Sequence, residues 1–489
     1  VFIKIIGLIY KLYLTNREGF GDSGNAIYSS GFQIYALLLT FSSTGVPNAI
    51  SYLVSERLAV GDNKGAHKIF KIAFVTFALI GIMGSLLLFV GAETISDKWI
   101  QIPEAKYSLI RGYFNGRQSF SVTAKSQTIE QIFKTVFTVS LVELVVILGK
   151  QNTEIMAASA NMATTVATVS SFIYIFLYYR TKRREIGQEI AETVNYKPTR
   201  IRKTLKKIIN VAIPISISSL ISSFGKNIDS FTIVRFLKNY LTEQEAKIQY
   251  GILSGKIDSL CSLPFAFNVA FVTTLVPSIS KSMAKGDLEE VAKKAEKYIL
   301  ISILIAFPIA STMFIYPNEI LKILFPNAPS GAMYLKISSI TIVFMLLAQT
   351  INGVLQGIGK VNIPAISFGI GMIVKFLCNI ILIPNKQIGI YGAIIGNILC
   401  NILACIISSC VLIKNIKLKI NLKKLMIKPL LATICMNIIS IVLHSNLKCI
   451  KSSNLAIIVT LMVSYLIYLI LIIIFRIYLP QKIKIKNFS

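Results

Sequence analysis

Residues Leu455 to Phe475 read LAIIVTLMVSYLIYLILIIIF, an apolar run without a single charged side chain. A helix needs about 20 such residues to cross a bilayer, where each backbone N–H and C=O must find its partner inside the helix. Comparable apolar stretches recur along the chain at Ile69–Val90, Val136–Leu148, Ala157–Tyr179, Ile299–Ile315, Ile337–Leu347 and Ile388–Ile413. With 54% hydrophobic and 15% charged residues over 489 positions, the composition excludes a soluble globular chain. The fold class this dictates is an all-α polytopic membrane protein. Setting apolar runs against polar breaks gives thirteen spans: 1–14, 28–50, 68–92, 120–148, 155–179, 205–236, 248–277, 297–315, 332–356, 362–383, 387–413, 425–443 and 454–477.

The net charge of +29 would suggest nucleic acid if it were spread over a soluble domain. Here it is concentrated in short runs between apolar segments, at Arg180–Arg184, Lys203–Lys207, Lys414–Lys428 and Arg476–Lys486. That is the pattern of cytoplasmic loops, and it sets nucleic acid aside as a partner. The seven cysteines form no C-x-x-C pair and read as small hydrophobes within helices. The chain opens at Val1 inside an apolar stretch with no cleavable signal peptide, which reads as an unusual start codon or a missing initial piece.

The chain also repeats itself. Leu58-Ala59-Val60-Gly61-Asp62 matches Met283-Ala284-Lys285-Gly286-Asp287 at an offset of 225. Gly112-x-x-x-Gly116 matches Gly353-x-x-x-Gly357, and Lys134 matches Lys375, at an offset of 241. Both matches run in the same direction, so the organisation is a parallel duplication: an N-terminal lobe over 1–200, a second over 201–413, and an additional helix pair over 414–489. Between the two landmarks the first lobe is 16 residues shorter, which is about 24 Å of helix. The stretch that remains, 96–114, carries Pro103, Glu104, Lys106 and Arg111 and is too polar to span. An interfacial or re-entrant segment is expected there, with one of the usual helices missing.

Several stretches resemble a known family. Gly7-Leu-Ile-Tyr-Lys11, Gly24-Asn-Ala-Ile-Tyr28, Gln33-Ile-Tyr35 and Ser42-Ser-x-Gly-Val-Pro47-x-Ala-Ile-Ser51-x-Leu-Val-Ser-Glu56 are similar to the stage V sporulation protein B group of polysaccharide-biosynthesis transporters. So are Arg111-Gly-Tyr-Phe-x-Gly116, Glu130-Gln131 and Val276-Pro-Ser-Ile-Ser280. The group lies in the MOP superfamily, with lipid-linked oligosaccharide flippases, lipid II flippases and multidrug (MATE) exporters. The resemblance implies fourteen helices, in two six-helix lobes plus a C-terminal pair, that alternate access to a central cavity. It also implies an undecaprenyl-linked oligosaccharide or peptidoglycan lipid precursor as cargo, carried across the cytoplasmic membrane.

Charged residues inside apolar segments are the candidate substrate contacts, because each costs about 2.5–3.5 kcal/mol at mid-membrane. They are Lys4, Lys11, Glu130, Lys134, Lys226, Asp229, Lys256, Asp258 and Lys375, with Glu143 toward the end of its helix. Lys4 and Lys11 share a helix face, as do Glu130 and Lys134, and Lys226 and Asp229. Lys4, Lys256 and Glu143 also suit snorkelling to an interface, and Lys226–Asp229 a structural ion pair. Lys134 and Lys375 are expected to enter the cavity from opposite lobes. Six lysines against four carboxylates suit a diphosphate headgroup; a drug or cation antiporter, the alternative class, needs the reverse balance.

Enzymatic readings lack their residues. His67 and His444 are the only histidines, and Gly353–Lys360 has the wrong spacing for a phosphate loop. No cofactor is called for. Expected partners are an anionic lipid-linked saccharide, membrane lipids and a coupling ion. A damaged, non-transporting copy is the second alternative, on account of the shortened first lobe.

Overall fold

The structure is a computed structural model. It describes residues 2–29, 50, 53–54, 57–58, 61–90, 120–149, 152–191, 193, 200–284, 286–360, 362–416, 423–447, 453–475 and 477. Every described element is a helix: α1 (Phe2–Asn16), helical residues 21–29, α2 (Asn63–Val90), α3 (Phe120–Ile147), α4 (Thr153–Thr181), α5 (Arg183–Ala191), α6 (Ile201–Leu237) and α7 (Glu243–Tyr250). A π-helical segment, Gly251–Ile257, then leads into α8 (Asp258–Ala284). It is followed by α9 (Leu288–Ile315), α10 (Pro317–Leu324), α11 (Ala332–Gly357), α12 (Asn362–Leu382), α13 (Tyr391–Ile416), α14 (Lys428–Leu447) and α15 (Ser453–Ile474).

Eight stretches of described helix are long and apolar enough to cross a membrane, from Thr153–Thr181 to Leu455–Ile474. Of the other expected spans, 1–14, 68–92, 120–148 and 205–236 fall on α1, α2, α3 and α6. Most of 28–50 lies outside the described residues, and so do the polar segment 96–114, the Gly112–Gly116 motif and the basic tail. The short helices α5 and α10 were not expected, because nine and eight residues are too few for an apolar-run reading to register. The protein is thus a multi-pass α-helical membrane protein, and exposed aliphatic side chains on its C-terminal helices, such as Ile438, Val442, Leu466 and Ile473, suit a lipid-facing surface.

The 225-residue offset reappears as geometry. α2 and α9 each have 28 residues, and both their first and last residues are 225 apart. Gly61 and Gly286 precede them with φ of 75° and 73°. Gly61 N–H donates to Leu58 O and Asp62 N–H to Arg57 O; Gly286 N–H donates to Met283 O and Asp287 N–H to Ser282 O. Asp62 then accepts from Gly65 N–H at 2.7 Å, and Asp287 from Glu290 N–H at 2.8 Å. A left-handed residue ends one helix, where only glycine is unstrained, and an aspartate caps the next. A Cβ on either glycine would meet nothing within 4 Å. Gly61→Ala and Gly286→Ala are therefore each expected to cost about 1–2 kcal/mol from backbone strain alone. Thermal unfolding of the two variants in detergent should show matching losses.

By its internal contacts the chain forms two compact units. Unit 1 is Val1–Ser259 with Met372–Gly396, and unit 2 is Leu260–Gly371 with Asn397–Ser489. In unit 2 the Gly353-x-x-x-Gly357 motif sets α11 against α8: a Cβ would come within 2.6 Å of Val272 and 2.7 Å of Ile279. Close helix approach through small residues takes the place of the hydrophobic drive that lipid does not supply. The buried amide of Asn268 stitches the same region, donating to Leu346 O, Gln349 Oε1 and Thr350 Oγ1. The C-terminal pair packs on α9, with Tyr468 OH donating to Leu304 O at 3.1 Å. In unit 1, α4 turns Ala157, Ala160, Ala163 and Ala167 inward, a small-residue stripe that lets α3 lie close.

Candidate functional site

Three contacts in unit 1 hold most of the charged candidates. The first is built on the π-helical segment. Gly251 and Gly255 press their backbone onto helix 21–29; a Cβ on Gly251 would lie 2.0 Å from Asp22 O, and one on Gly255 would lie 2.7 Å from Asn25 Cβ. That approach puts Lys256, fully buried, with its Nζ 2.7 Å from Asp22 Oδ1. One turn on, Ser259 Oγ accepts from Lys11 Nζ at 2.6 Å and donates to Gly255 O at 2.7 Å. Asn25 completes this layer by donating to Thr15 Oγ1 at 2.7 Å. π-helical turns inside long helices recur at functional positions, because they shift the register of every following side chain.

The second contact joins α1 to α3. Tyr10 and Tyr28 meet edge to face with centroids 6.5 Å apart and hydroxyls at 3.2 Å. Lys134 Nζ stands 5.3 Å from the centre of the Tyr10 ring, its side chain buried, in a cation–π arrangement. Further along the same two helices, Arg17 Nη2 bonds Glu143 Oε2 at 2.9 Å, and Tyr13 OH donates to Glu143 Oε1. Gly7 lies across from Gln131, where a Cβ would touch its amide at 3.4 Å.

The third contact joins α6 to α12. Lys375 Nζ bonds Asp229 Oδ2 at 2.7 Å and Gly225 O at 2.9 Å, and it is buried. Asn379, one turn after Lys375, donates to Asp229 Oδ1 at 3.1 Å and Thr232 Oγ1 at 2.8 Å. A carboxylate and an ammonium taken out of water together are tolerable only with such neighbours on the remaining lone pairs.

Of the residues singled out from sequence, Lys11, Lys134, Lys256, Asp229 and Lys375 are therefore inside unit 1 and in specific contacts. Glu130 and Asp258 are half-buried nearby in sequence to Lys134 and Lys256. The side chains of Lys4 and Lys226 lie outside the described residues. Three expectations change. Lys134 and Lys375, expected to enter a cavity from opposite lobes, both lie buried in unit 1, with Lys375 on the Asp229 carboxylate. Asp229 is held by Lys375 from 146 residues away, rather than resting on its helical neighbour Lys226 alone. Lys256 is ion-paired and fully buried, so it does not snorkel, while Glu143 is half-buried and bonds Arg17. Sequence reasoning missed Asp22 and Arg17, which fall between the expected spans 1–14 and 28–50. The signal was present, since Asp22 precedes Asn25 by three and so shares its helix face. Among the described residues no cluster of three His, Cys, Asp or Glu is placed to hold a metal ion.

Chemically, Lys11 and Lys134 come off neighbouring faces of α1 and α3, next to a hydroxyl and an aromatic ring. An ammonium binds phosphate oxygens as a point charge. Asp22, Asp229 and Glu143 each already hold a cation.

Comparison with known proteins places these residues in context. The polysaccharide biosynthesis protein family profile matches residues 1–283, and the MatE profile matches 254–381. The chain is 24% identical to stage V sporulation protein B of Bacillus subtilis (strain 168), over 97% of this chain and 92% of that one. It is 23% identical to the lipid II flippase of the same organism, over 81% of this chain and 77% of that one. Among solved structures, an inward-facing multidrug resistance MATE family transporter of the MOP superfamily superposes with a TM-score of 0.67. That match has 14% identity and covers 85% of this chain and 94% of the other.

Proposed function

Because the chain belongs to the polysaccharide biosynthesis protein family, we propose that it flips an anionic lipid-linked saccharide across the cell membrane by alternating access. The cargo class is an undecaprenyl-linked oligosaccharide or a peptidoglycan lipid precursor. We take 1–200 and 201–413 as the two repeats whose relative motion exposes the cargo to either side, and 414–489 as an added pair. The observation that carries the reading is the placement of Lys11 beside Ser259 and of Lys134 beside Tyr10 in unit 1. These are two ammonium groups inside a membrane helix bundle, in contact with a hydroxyl and a ring. A diphosphate bridging them would gain charge-assisted hydrogen bonds that water cannot match at that depth.

The MatE match over 254–381 supports a second reading, export of a cationic drug. Against it, the buried carboxylates Asp22 and Asp229 are each held by a lysine of the chain itself. Equilibrium binding to the purified protein separates the two. An undecaprenyl diphosphate-linked sugar is expected to bind and to be displaced by undecaprenyl diphosphate, while tetraphenylphosphonium does not compete. Binding of tetraphenylphosphonium without binding of the lipid would establish the drug exporter instead.

A further inference from the structure

The repeat that α2 and α9 share makes one difference between them conspicuous. At the 225-residue offset, Lys64 stands where α9 has Glu289, Gly65 where it has Glu290, and Lys71 where it has Glu296. α9 thus carries its own counter-charges: Lys293 bonds Glu289 at 2.6 Å and Lys294 bonds Glu290 at 2.8 Å. The first turn of α2 has no acid at all.

Around that end of α2 the rest of unit 1 adds more cations. Ala66, Ile69 and Phe70 pack with Tyr178 and Tyr179 at the end of α4, with Ile186 of α5 and with Ile208 of α6. Asn63 Nδ2 donates to Glu189 O at 3.0 Å, which fastens α5 to the start of α2. This small apolar cluster is fringed by exposed Arg183 and Arg184 on α5, Lys203 and Lys206 on α6, and Lys64 and Lys71 on α2. Of the acids on α5, Glu185 is already bonded by Lys182 at 2.6 Å. The level is that of the membrane surface, since α4 is a membrane-crossing helix that ends at Thr181 and brings tyrosines to its last turns.

We propose that this end of unit 1 is a docking surface for anionic phospholipid headgroups of the leaflet it borders. The argument is charge complementarity at the right depth: a belt of exposed guanidinium and ammonium groups beside interfacial tyrosines recruits phosphates that carry net charge. The first turns of α9 itself, where Glu289, Glu290 and Glu296 stand against Lys293, Lys294 and Lys297, carry no such excess.

The test uses the full chain in nanodiscs containing phosphatidylcholine and phosphatidylglycerol, with the retained lipids counted by native mass spectrometry. Wild type should retain phosphatidylglycerol over phosphatidylcholine by about tenfold, and added salt should erase the preference as it screens the headgroups. Replacing Arg183, Arg184, Lys203 and Lys206 together by glutamine should remove most of it, while Lys293→Gln with Lys294→Gln should leave it intact. Equal retention of both lipids by wild type would overturn the proposal, as would a preference indifferent to salt or a wild-type preference in the four-site variant. If that variant fails to fold, the wild-type preference and its salt titration still decide the matter, and Arg183→Lys with Arg184→Lys should keep the preference.

Discussion

Asp22→Asn and Lys256→Met should each destabilise the protein by about 3–5 kcal/mol, and combining them should recover most of that loss. The reason is the burial of the pair. Lys256 has 0% of its side chain exposed and Asp22 has 11%, so removing either leaves the other charge in low dielectric without its counter-ion. With both gone, a thioether and an amide occupy the volume, and neither carries an uncompensated charge. A surface pair would behave differently: Lys293→Gln, whose partner Glu289 is 79% exposed, should change little. A double-mutant cycle on unfolding in detergent measures this. Additive losses in the double variant would show that the pair contributes through packing and not through charge.

The same pair shows what a sequence conveys and what it withholds. The membrane-crossing helices were legible because their signal is a one-dimensional property, the length of an apolar run. The Gly61-Asp62 and Gly286-Asp287 turns were legible because a left-handed φ selects glycine and a helix N-terminus selects aspartate, so the same chemistry recurs 225 residues on. Charges at membrane depth were also visible one by one. Their partners were not, since a lysine on α12 finds its aspartate on α6 through the fold and not through spacing. A local three-residue rule therefore favoured Lys226 for Asp229. Asp22 was hidden for a different reason: the Gly-rich stretch around it reads as a loop, whereas residues 21–29 form a helix that receives the π-helical segment. The wider π turn itself leaves no mark in seven residues of mostly apolar sequence.

Lys134→Gln and Lys11→Gln are expected to lower the flipping rate by roughly 10- to 100-fold each, the loss of one charge-assisted contact apiece. Neither should remove the fold. Glutamine keeps most of the stem of each lysine, and at position 11 its amide stays close to the Ser259 hydroxyl. Glu143→Gln, on the Arg17 pair near the end of α3, should reduce flipping less. Lys375→Ala belongs to a different class, because it strands the buried Asp229 carboxylate and should reveal itself as a loss of folded protein. The decisive measurement is movement of a fluorescent undecaprenyl diphosphate-linked saccharide in proteoliposomes, with wild type, Lys134→Gln and Lys11→Gln at equal amounts of folded protein. Wild type should carry the lipid from one leaflet to the other, and both variants should fall well below it. Unchanged flipping in both variants, or a wild type that leaves the lipid where it was while extruding tetraphenylphosphonium, would contradict the account.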